Sequence, residues 1–150
     1  MKEIEVKILD VNVPSLRKKL HALGAEKFFD GEIESVSLDY TDERLEKEGK
    51  MLRVRKAGDR CEITFKCKNI SSRFKKMDEI EVVTNDFGMT LDIFKRIGMV
   101  EIYRGTKKRE CYRLGKTKFD IDSVRGIPSY VEVEAPTEKD VVAGVQLLGF

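Results

Sequence analysis

Pairs of like charges separated by one residue recur along the chain, and they constrain its fold more than any other feature. Seven of these pairs are the basis of the fold prediction. Residues i and i+2 of a β-strand point to the same face, about 7 Å apart, so each pair indicates a strand with one charged and one apolar face. The pairs are Glu3-Ile4-Glu5, Arg53-Val54-Arg55, Lys66-Cys67-Lys68, Glu79-Ile80-Glu81, Lys107-Lys108-Arg109, Asp120-Ile121-Asp122 and Glu132-Val133-Glu134.

An amphipathic helix pattern follows each of three segments, Glu3-Ile4-Glu5, Glu79-Ile80-Glu81 and Glu132-Val133-Glu134. The three apolar stripes stop at Leu23-Gly24, Ile97-Gly98 and Leu148-Gly149, and a glycine directly after the last apolar residue is a common end of a helix. Thr137, with Asp140 three residues later, predicts a capping interaction at the start of the third helix. We therefore expect three helices, each following a charged strand.

Two glycine-containing turns predict hairpins, at Gly58-Asp59 and at Gly115-Lys116. If both turns have two residues, Arg55 lies opposite Glu62 and Arg109 lies opposite Asp122, so the charged faces match across each hairpin. Hairpin-linked strands with helices on the outside predict an α+β fold built on an antiparallel β-barrel. The predicted strands cover residues 2–9, 33–40, 51–57, 61–68, 78–84, 107–114, 117–123 and 130–135.

The charged face of these strands either meets solvent or lines an interior. A solvated face is the commonest meaning of alternation, but like charges at i and i+2 repel, and an ordinary surface mixes its signs. We therefore favour a closed or nearly closed barrel whose charged face lines a central channel. Such an interior is costly unless a ligand completes it. Arg and Lys suit the phosphates of a polyanion, and clustered Asp and Glu suit Mg²⁺ or Mn²⁺.

The composition excludes several other functions. A length of 150 residues predicts one domain over residues 1–150. The net charge of +2 says little about partners, but acidic and basic strands alternate instead of gathering positive charge on one face, which argues against a nucleic-acid interface. His21 is the only histidine, which excludes multi-histidine metal sites. Its isolated position in the first predicted helix argues against Ser-His-Asp and Cys-His nucleophile systems. The three cysteines lack zinc-site spacing, and we expect free thiols. With neither an apolar leader nor a run of membrane-spanning length, we expect a cytoplasmic protein without a membrane partner.

The charged pairs resemble, in order and spacing, the motifs of one known family. Glu3-x-Glu5-x-Lys7 resembles the ExExK signature of the CYTH superfamily, also called triphosphate tunnel metalloenzymes. The resemblance covers almost the whole chain and implies an eight-stranded antiparallel tunnel that binds a triphosphate with Mg²⁺ or Mn²⁺. The further matching segments are Leu52-Arg53-Val54-Arg55, Thr64-Phe65-Lys66, Glu79-x-Glu81, Lys107-x-Arg109 with Tyr112, Asp122, and Val131-Glu132-Val133-Glu134.

The resemblance also implies roles for individual residues. Lys7 is the candidate catalytic residue, which would orient or deprotonate an attacking water. Lys68, Glu79 and Glu81 would be secondary lining residues. The segment Ile127-Pro128-Ser129-Tyr130 replaces the Leu-Gly turn that is common in the family before the last Glu-x-Glu strand. The implied triphosphate-binding residues are Arg53, Arg55, Lys66, Lys107 and Arg109, and the implied metal ligands are Glu3, Glu5, Asp122, Glu132 and Glu134.

These observations predict a metal-dependent hydrolase of an inorganic or organic triphosphate, with tripolyphosphate, thiamine triphosphate or ATP as the substrate. A class IV adenylyl cyclase, which converts ATP to cyclic AMP and pyrophosphate, is the first alternative, because it needs the same phosphate machinery. A non-catalytic module that binds polyphosphate or a nucleotide is the second, although anion binding alone does not require five carboxylates. The sequence leaves open whether the protein is a monomer or a homodimer.

Overall fold

The computed structural model describes residues 2–69 and 75–150, with the side chains of residues 4–68 and 78–150. This part of the chain contains eight strands and four helices. The strands are β1 (Lys2–Ile8), β2 (Glu26–Asp39), β3 (Lys50–Ala57), β4 (Arg60–Asn69), β5 (Lys75–Thr84), β6 (Val100–Leu114), β7 (Thr117–Ser123) and β8 (Tyr130–Ala135). The helices are α1 (Val13–Ala22), α2 (Arg44–Lys47), α3 (Phe87–Arg96) and α4 (Glu138–Leu148).

The strands pair in the order β1-β5-β4-β3-β2-β6-β7-β8, and β8 pairs with β1. This order confirms the predicted α+β class and the antiparallel eight-stranded β-barrel. The described residues form two compact units. The prediction of a single domain over residues 1–150 stays a prediction. The first unit comprises Glu32–Asn69 and Met77–Thr106, and the second comprises Lys2–Gly31, residues 75–76 and Lys107–Phe150.

In the second unit, β6, β7, β8 and β1 are neighbours, and their apolar side chains share the face on which α1 and α4 pack. The buried core includes Leu20 of α1, Phe119 of β7 and Val133 of β8. The hydroxyl of Thr137 accepts a hydrogen bond from the backbone N–H of Asp140, which confirms the predicted cap. This packing leaves the charged side chains of the four strands together on the opposite face.

In the first unit, β2, β3 and β4 form a continuous antiparallel ladder. Leu91 of α3 packs with Val36 of β2 and Val54 of β3 in a buried core. Gly58 turns the β3–β4 hairpin with φ of 59°, a left-handed conformation that favours glycine. The observed register places Arg55 opposite Glu62, as predicted.

Several elements differ from the sequence-based expectations. β2 starts at Glu26 rather than at residue 33, and β6 starts at Val100 rather than at residue 107. The added segments are mostly exposed and lack the apolar alternation of a half-buried strand. The short helix α2 lies in a polar stretch of the sequence for which no helix was predicted. Its backbone N–H groups at Leu45 and Glu46 donate to the buried carboxylate of Asp39. Because Asp39 lies several residues before the helix, the sequence pattern did not identify it as a capping residue.

The cysteines agree with the expectation of free thiols. Cys61 and Cys111 are buried, Cys67 is half-buried, and none of the three forms a disulfide. Burial, together with the charge of Asp120, raises the pKa of the Cys111 thiol to about 12. A thiol with such a pKa is protonated near neutral pH and is a poor nucleophile.

Candidate functional site

Strand alternation in the second unit brings acidic and basic side chains onto one face, where the register sets them opposite each other. Arg109 of β6 lies opposite Asp122 of β7, as predicted from the hairpin. Asp120 of β7 lies opposite Glu132 of β8, and Glu132 lies opposite Lys7 of β1. We call this group the Arg109 cluster; its members are Lys7, Lys107, Arg109, Lys118, Asp120, Asp122 and Glu132.

The guanidinium of Arg109 is the centre of this cluster. Its Nε donates to Oδ1 of Asp122 at 2.6 Å, its Nη1 to Oδ2 of Asp120 at 2.7 Å and its Nη2 to Oε2 of Glu132 at 2.6 Å. Arg109 is only 5% exposed. Burial alone would lower the pKa of Arg109, but the hydrogen bonds and charges of Asp122 and its neighbours raise it instead. One buried cation thus holds three carboxylates together.

Three lysines complete the neutralisation of these carboxylates. Lys107 Nζ lies 2.7 Å from Asp122, and Lys118 Nζ lies 2.9 Å from Asp120. Lys7 Nζ lies 3.2 Å from Oε1 of Glu132. Burial would raise the pKa of Glu132, but the charges of Arg109, Lys107 and Lys7 outweigh it and hold that pKa at about 2. Glu132 is therefore ionised at every physiological pH.

Tyr130 is a site residue that the sequence analysis missed. Its ring lies 4.4 Å from the Nζ of Lys7 and 5.9 Å from the Nζ of Lys107, both within cation–π range. The residue is buried and lies opposite Asp122 in the β7–β8 register. Burial and the charge of Asp122 raise the pKa of its hydroxyl. The sequence feature that could have identified Tyr130 is its position two residues before Glu132, which places both side chains on the same strand face.

The carboxylates next to the cluster suit a divalent cation by chemistry and by register. Glu5 of β1 lies directly opposite Glu134 of β8, and like charges in that relation destabilise a sheet unless a cation separates them. Lys118 Nζ lies 3.6 Å from Glu134. Oδ1 of Asp120 is buried and has no hydrogen-bond partner among the described residues. An all-oxygen donor set of this kind fits Mg²⁺ or Mn²⁺.

The geometry of these donors places a limit on that fit. Within residues 4–68 and 78–150, no three Asp, Glu, His or Cys side chains are already arranged around a metal position. Asp122 directs its two oxygens to Arg109 and Lys107. Glu3 lies in β1, but its side chain is outside the described residues. The donors fit the cation in kind, and their carboxylates would have to exchange partners to bind it.

The first unit carries its own charged face on β3, β4 and β5. Arg55 Nη2 lies 3.0 Å from Glu62, and the buried Lys66 Nζ lies 2.8 Å from Glu79. Arg53 lies on the same face, opposite Thr64. A buried, ion-paired lysine and half-buried arginines are not typical of a merely solvated sheet face.

The structure thus sorts the predicted site residues into separate groups. Their functional roles stay predictions. Asp120 and Lys118 in the cluster, and Tyr130 beside it, have no role in the sequence-based prediction. The structure brings Lys7, Lys107, Arg109, Asp122 and Glu132 together in the Arg109 cluster, sets Glu5 opposite Glu134, and places Arg53, Arg55 and Lys66 on the charged face of the first unit.

Comparison with known proteins identifies the family. The model of the CYTH domain family matches residues 1–143, and the chain therefore belongs to the CYTH domain family. A protein of Methanocaldococcus jannaschii named "Putative adenylate cyclase" is 32% identical over 145 residues, which cover 93% of this chain and 81% of that protein.

Solved structures agree with this assignment. The PH1012 protein from Pyrococcus horikoshii is 28% identical with a TM-score of 0.84, over 99% of this chain and 90% of that chain. A Hippeastrum protein, described as a "putative adenylyl cyclase" with a dominant triphosphatase activity, is 17% identical with a TM-score of 0.71, over 96% and 84% of the two chains. At that identity the second likeness shows the fold alone. Among the described residues, no helix is long and apolar enough to cross a membrane.

Proposed function

We propose that this protein is a divalent-metal-dependent enzyme that hydrolyses an inorganic or organic triphosphate. The observation that carries the proposal is the Arg109 cluster, in which a buried guanidinium and three lysines meet three carboxylates on one strand face. Burying charges of both signs costs free energy, and a ligand that binds to both would explain why the protein keeps them. Membership of the CYTH family supports the same function.

The cations of the cluster are suited to bind phosphate oxygens. Arg109 presents a planar fork of donors, and Lys107 presents a single charge whose pKa is lowered by burial and by the charge of Arg109. In the free protein their donors are bonded to Asp122 and its neighbours. A bound triphosphate would replace the carboxylates as the acceptor, and the released carboxylates would be available as metal ligands.

The metal ligands would be Glu5, Glu132 and Glu134, with Glu3 and Asp122 as the other predicted members. When bound, the cation supplies charge neutralisation and polarises the terminal phosphoryl group. Hydrolysis then requires attack of water on the terminal phosphorus and cleavage of its bond to the bridging oxygen, which releases orthophosphate and the shortened phosphate chain.

Lys7 is the residue best placed to act on the attacking water. Its ammonium group is bonded to Glu132 and lies over the ring of Tyr130, while about half of the side chain stays exposed. A lysine held at a fixed position with an exposed flank can orient a water molecule by hydrogen bonding. The same contacts would hold Lys7 in place during turnover.

Adenylyl cyclisation is the second candidate, and the name of the M. jannaschii relative favours it. The phosphate machinery is the same in both reactions, but the ribose 3′ oxygen attacks the α-phosphorus instead of water attacking the terminal one. Hydrolysis stays the first candidate because the fixed ammonium group of Lys7, with its exposed flank, is suited to orient a water molecule. A Hippeastrum protein of the same fold, named for cyclisation, is described as having a dominant triphosphatase activity.

³¹P NMR of the purified protein with tripolyphosphate or ATP, each with Mg²⁺ or Mn²⁺, tests the proposal. We expect orthophosphate to appear and its release to stop when the metal is chelated. Pyrophosphate with cyclic AMP from ATP would make the protein a cyclase. Metal-linked binding of either compound without turnover would favour the binding module over both enzymatic candidates.

A paired substitution adds a structural control to this experiment. Glu134→Gln should abolish turnover at ordinary metal concentration and leave the circular dichroism spectrum unchanged. Glu26→Gln, at an exposed glutamate of β2, should behave as wild type. Full activity of Glu134→Gln would remove Glu134 from the metal site.

A further inference from the structure

Helix α3 in the first unit carries two apolar stripes, and only one of them is covered. Phe87, Leu91 and Phe94 pack in the core against β2, β3 and β4. Met89, Ile93 and Ile97, spaced four residues apart, form a second stripe on another side of the helix. Their exposures are 67%, 61% and 62%. An amphipathic surface helix normally needs one apolar stripe, so the second requires its own explanation.

The exposed stripe borders a groove whose other side includes the end of strand β5. A cavity of about 300 Å³ lies between α3 and the strands, and its lining includes Met89, Ile93, Ile63 and Thr84. Thr84 and Thr90 are hydrogen-bonded at 3.0 Å, which joins the end of β5 to α3. Ile80 and Val82 share the strand face of Thr84, because they precede it by four and two positions. They are 68% and 52% exposed.

We propose that this surface, the α3–β5 patch (Ile80, Val82, Met89, Ile93 and Ile97), is the interface through which two copies of the chain form a symmetric dimer. Five large apolar side chains at these exposures present on the order of 500 Å² of apolar area, near the upper range of patches on monomers. One partner in a standard interface buries about 800 Å², of which roughly 60% is apolar. The area of the patch matches that requirement.

The charge distribution along α3 favours a second copy as the occupant. The helix has Asp86 at its N-cap and Lys95 and Arg96 in its last turn. These two cations form ion pairs with Glu101 and Asp92 of the same chain, and exposed pairs of this kind are weak enough to exchange partners. When two α3 helices pack antiparallel, the basic end of each lies beside the acidic end of the other, and the helix dipoles also oppose. In this arrangement Met89 of one copy meets Ile97 of the other, and Ile93 lies at the two-fold axis. The stripe is therefore self-complementary, as a two-fold interface must be.

Sedimentation velocity on the full chain tests the proposal without reference to any enzymatic activity. We expect wild type at tens of micromolar to sediment with twice the monomer mass, and Ile93→Glu to sediment as a folded monomer. Val142→Glu is the matched control, since Val142 is an exposed apolar residue of α4 in the second unit, and it should remain a dimer. A monomeric wild type, a dimeric Ile93→Glu protein, or loss of the dimer in Val142→Glu would each overturn the proposal.

Disulfide cross-linking tests the antiparallel arrangement. Ile93→Cys should form an intermolecular disulfide under mild oxidation, because the two Ile93 positions adjoin at the axis. Two copies of Ile97 would lie about 12 Å apart along the helix axes, beyond the reach of a disulfide, so Ile97→Cys should not cross-link. Cross-linking of Ile97→Cys without that of Ile93→Cys would refute this arrangement.

Discussion

Replacing Arg109 with methionine is expected to destabilise the protein by several kcal/mol, because the change removes the shared partner of three carboxylates. Asp122 is completely buried and Asp120 is nearly so, and breaking a buried ion pair from one side costs about 3–5 kcal/mol. Lys107 and Lys118 would still each neutralise one carboxylate, which favours the lower end, about 3 kcal/mol. For a chain of this length the melting temperature should fall by roughly 6–12 °C.

The pH dependence of this loss gives a second signature. The pKa of Glu132 is about 2 in the folded protein against its usual 4.5. A lowered carboxyl pKa adds stability that is complete above about pH 4.5 and disappears as the pH falls towards 2. For Glu132 the whole lowering corresponds to about 3 kcal/mol. Arg109 is the largest single charge that lowers this pKa, so Arg109→Met loses much of the stability that ionised Glu132 adds. The difference in the free energy of unfolding between wild type and the variant should therefore be smaller at acid pH than at neutral pH.

Urea unfolding followed by circular dichroism, at about pH 7 and about pH 3, measures both effects. The control is Arg113→Met, at an exposed arginine of the same strand whose guanidinium lies over the ring of Phe28. That contact is worth about 0.5–1 kcal/mol. A loss for Arg109→Met that is no greater than the control's, or a loss as large in acid as at neutral pH, would refute the role of Arg109 as the shared partner of these carboxylates.

Three further predictions concern packing, acid stability and the position of the candidate catalytic lysine. Gly144→Ala should lower the free energy of unfolding by about 1–3 kcal/mol, because the added Cβ would lie 2.9 Å from side-chain carbons of β7 and β8. Helix propensity alone would instead raise the melting temperature, and a measured rise would contradict this prediction. The hydrogen bond from Arg17 outweighs burial and holds the pKa of Glu110 at about 2. In Glu110→Gln, the free energy of unfolding should therefore fall less than in wild type as the pH drops from about 4.5 to 2. The same fall in both proteins would show that this ion pair contributes nothing. If the proposed hydrolysis is correct, Tyr130→Leu should lower kcat about three- to thirtyfold with little change in KM, because Lys7 loses the ring that holds it. Tyr130→Phe retains the ring, and its kcat should stay near that of wild type. Equal impairment of both variants would assign the effect to the hydroxyl instead.

The features that the sequence predicted correctly are those set by local periodicity. Alternation of charged and apolar residues determines which side chains share a strand face, and the glycines at 58 and 115 set both hairpin registers. Arg109 could therefore be placed opposite Asp122 by counting residues from the turn. The order of motifs along the chain then predicted the family that the CYTH domain match shows.

The remaining features depend on contacts between distant parts of the chain. Helix α3 has apolar residues on more than one side, and the sequence does not say which stripe the sheet covers; burial selects Leu91 and leaves Ile93 exposed. The cap of α2 by Asp39 acts across six and seven residues. Tyr130 becomes a site residue only because β8 lies between β7 and β1, which brings its ring to Lys7.

The sharing of Arg109 by three carboxylates has a consequence for how this site can change during evolution. Because its members act as one network, the effect of a substitution at Asp120 or Glu132 depends on which residue occupies position 109, and single effects will not add. Loss of Arg109 is costly while the carboxylates remain, yet milder once they have been replaced. Divergence of this face should therefore proceed through coordinated substitutions at positions 109, 120, 122 and 132, with strong epistasis and few viable single-step intermediates.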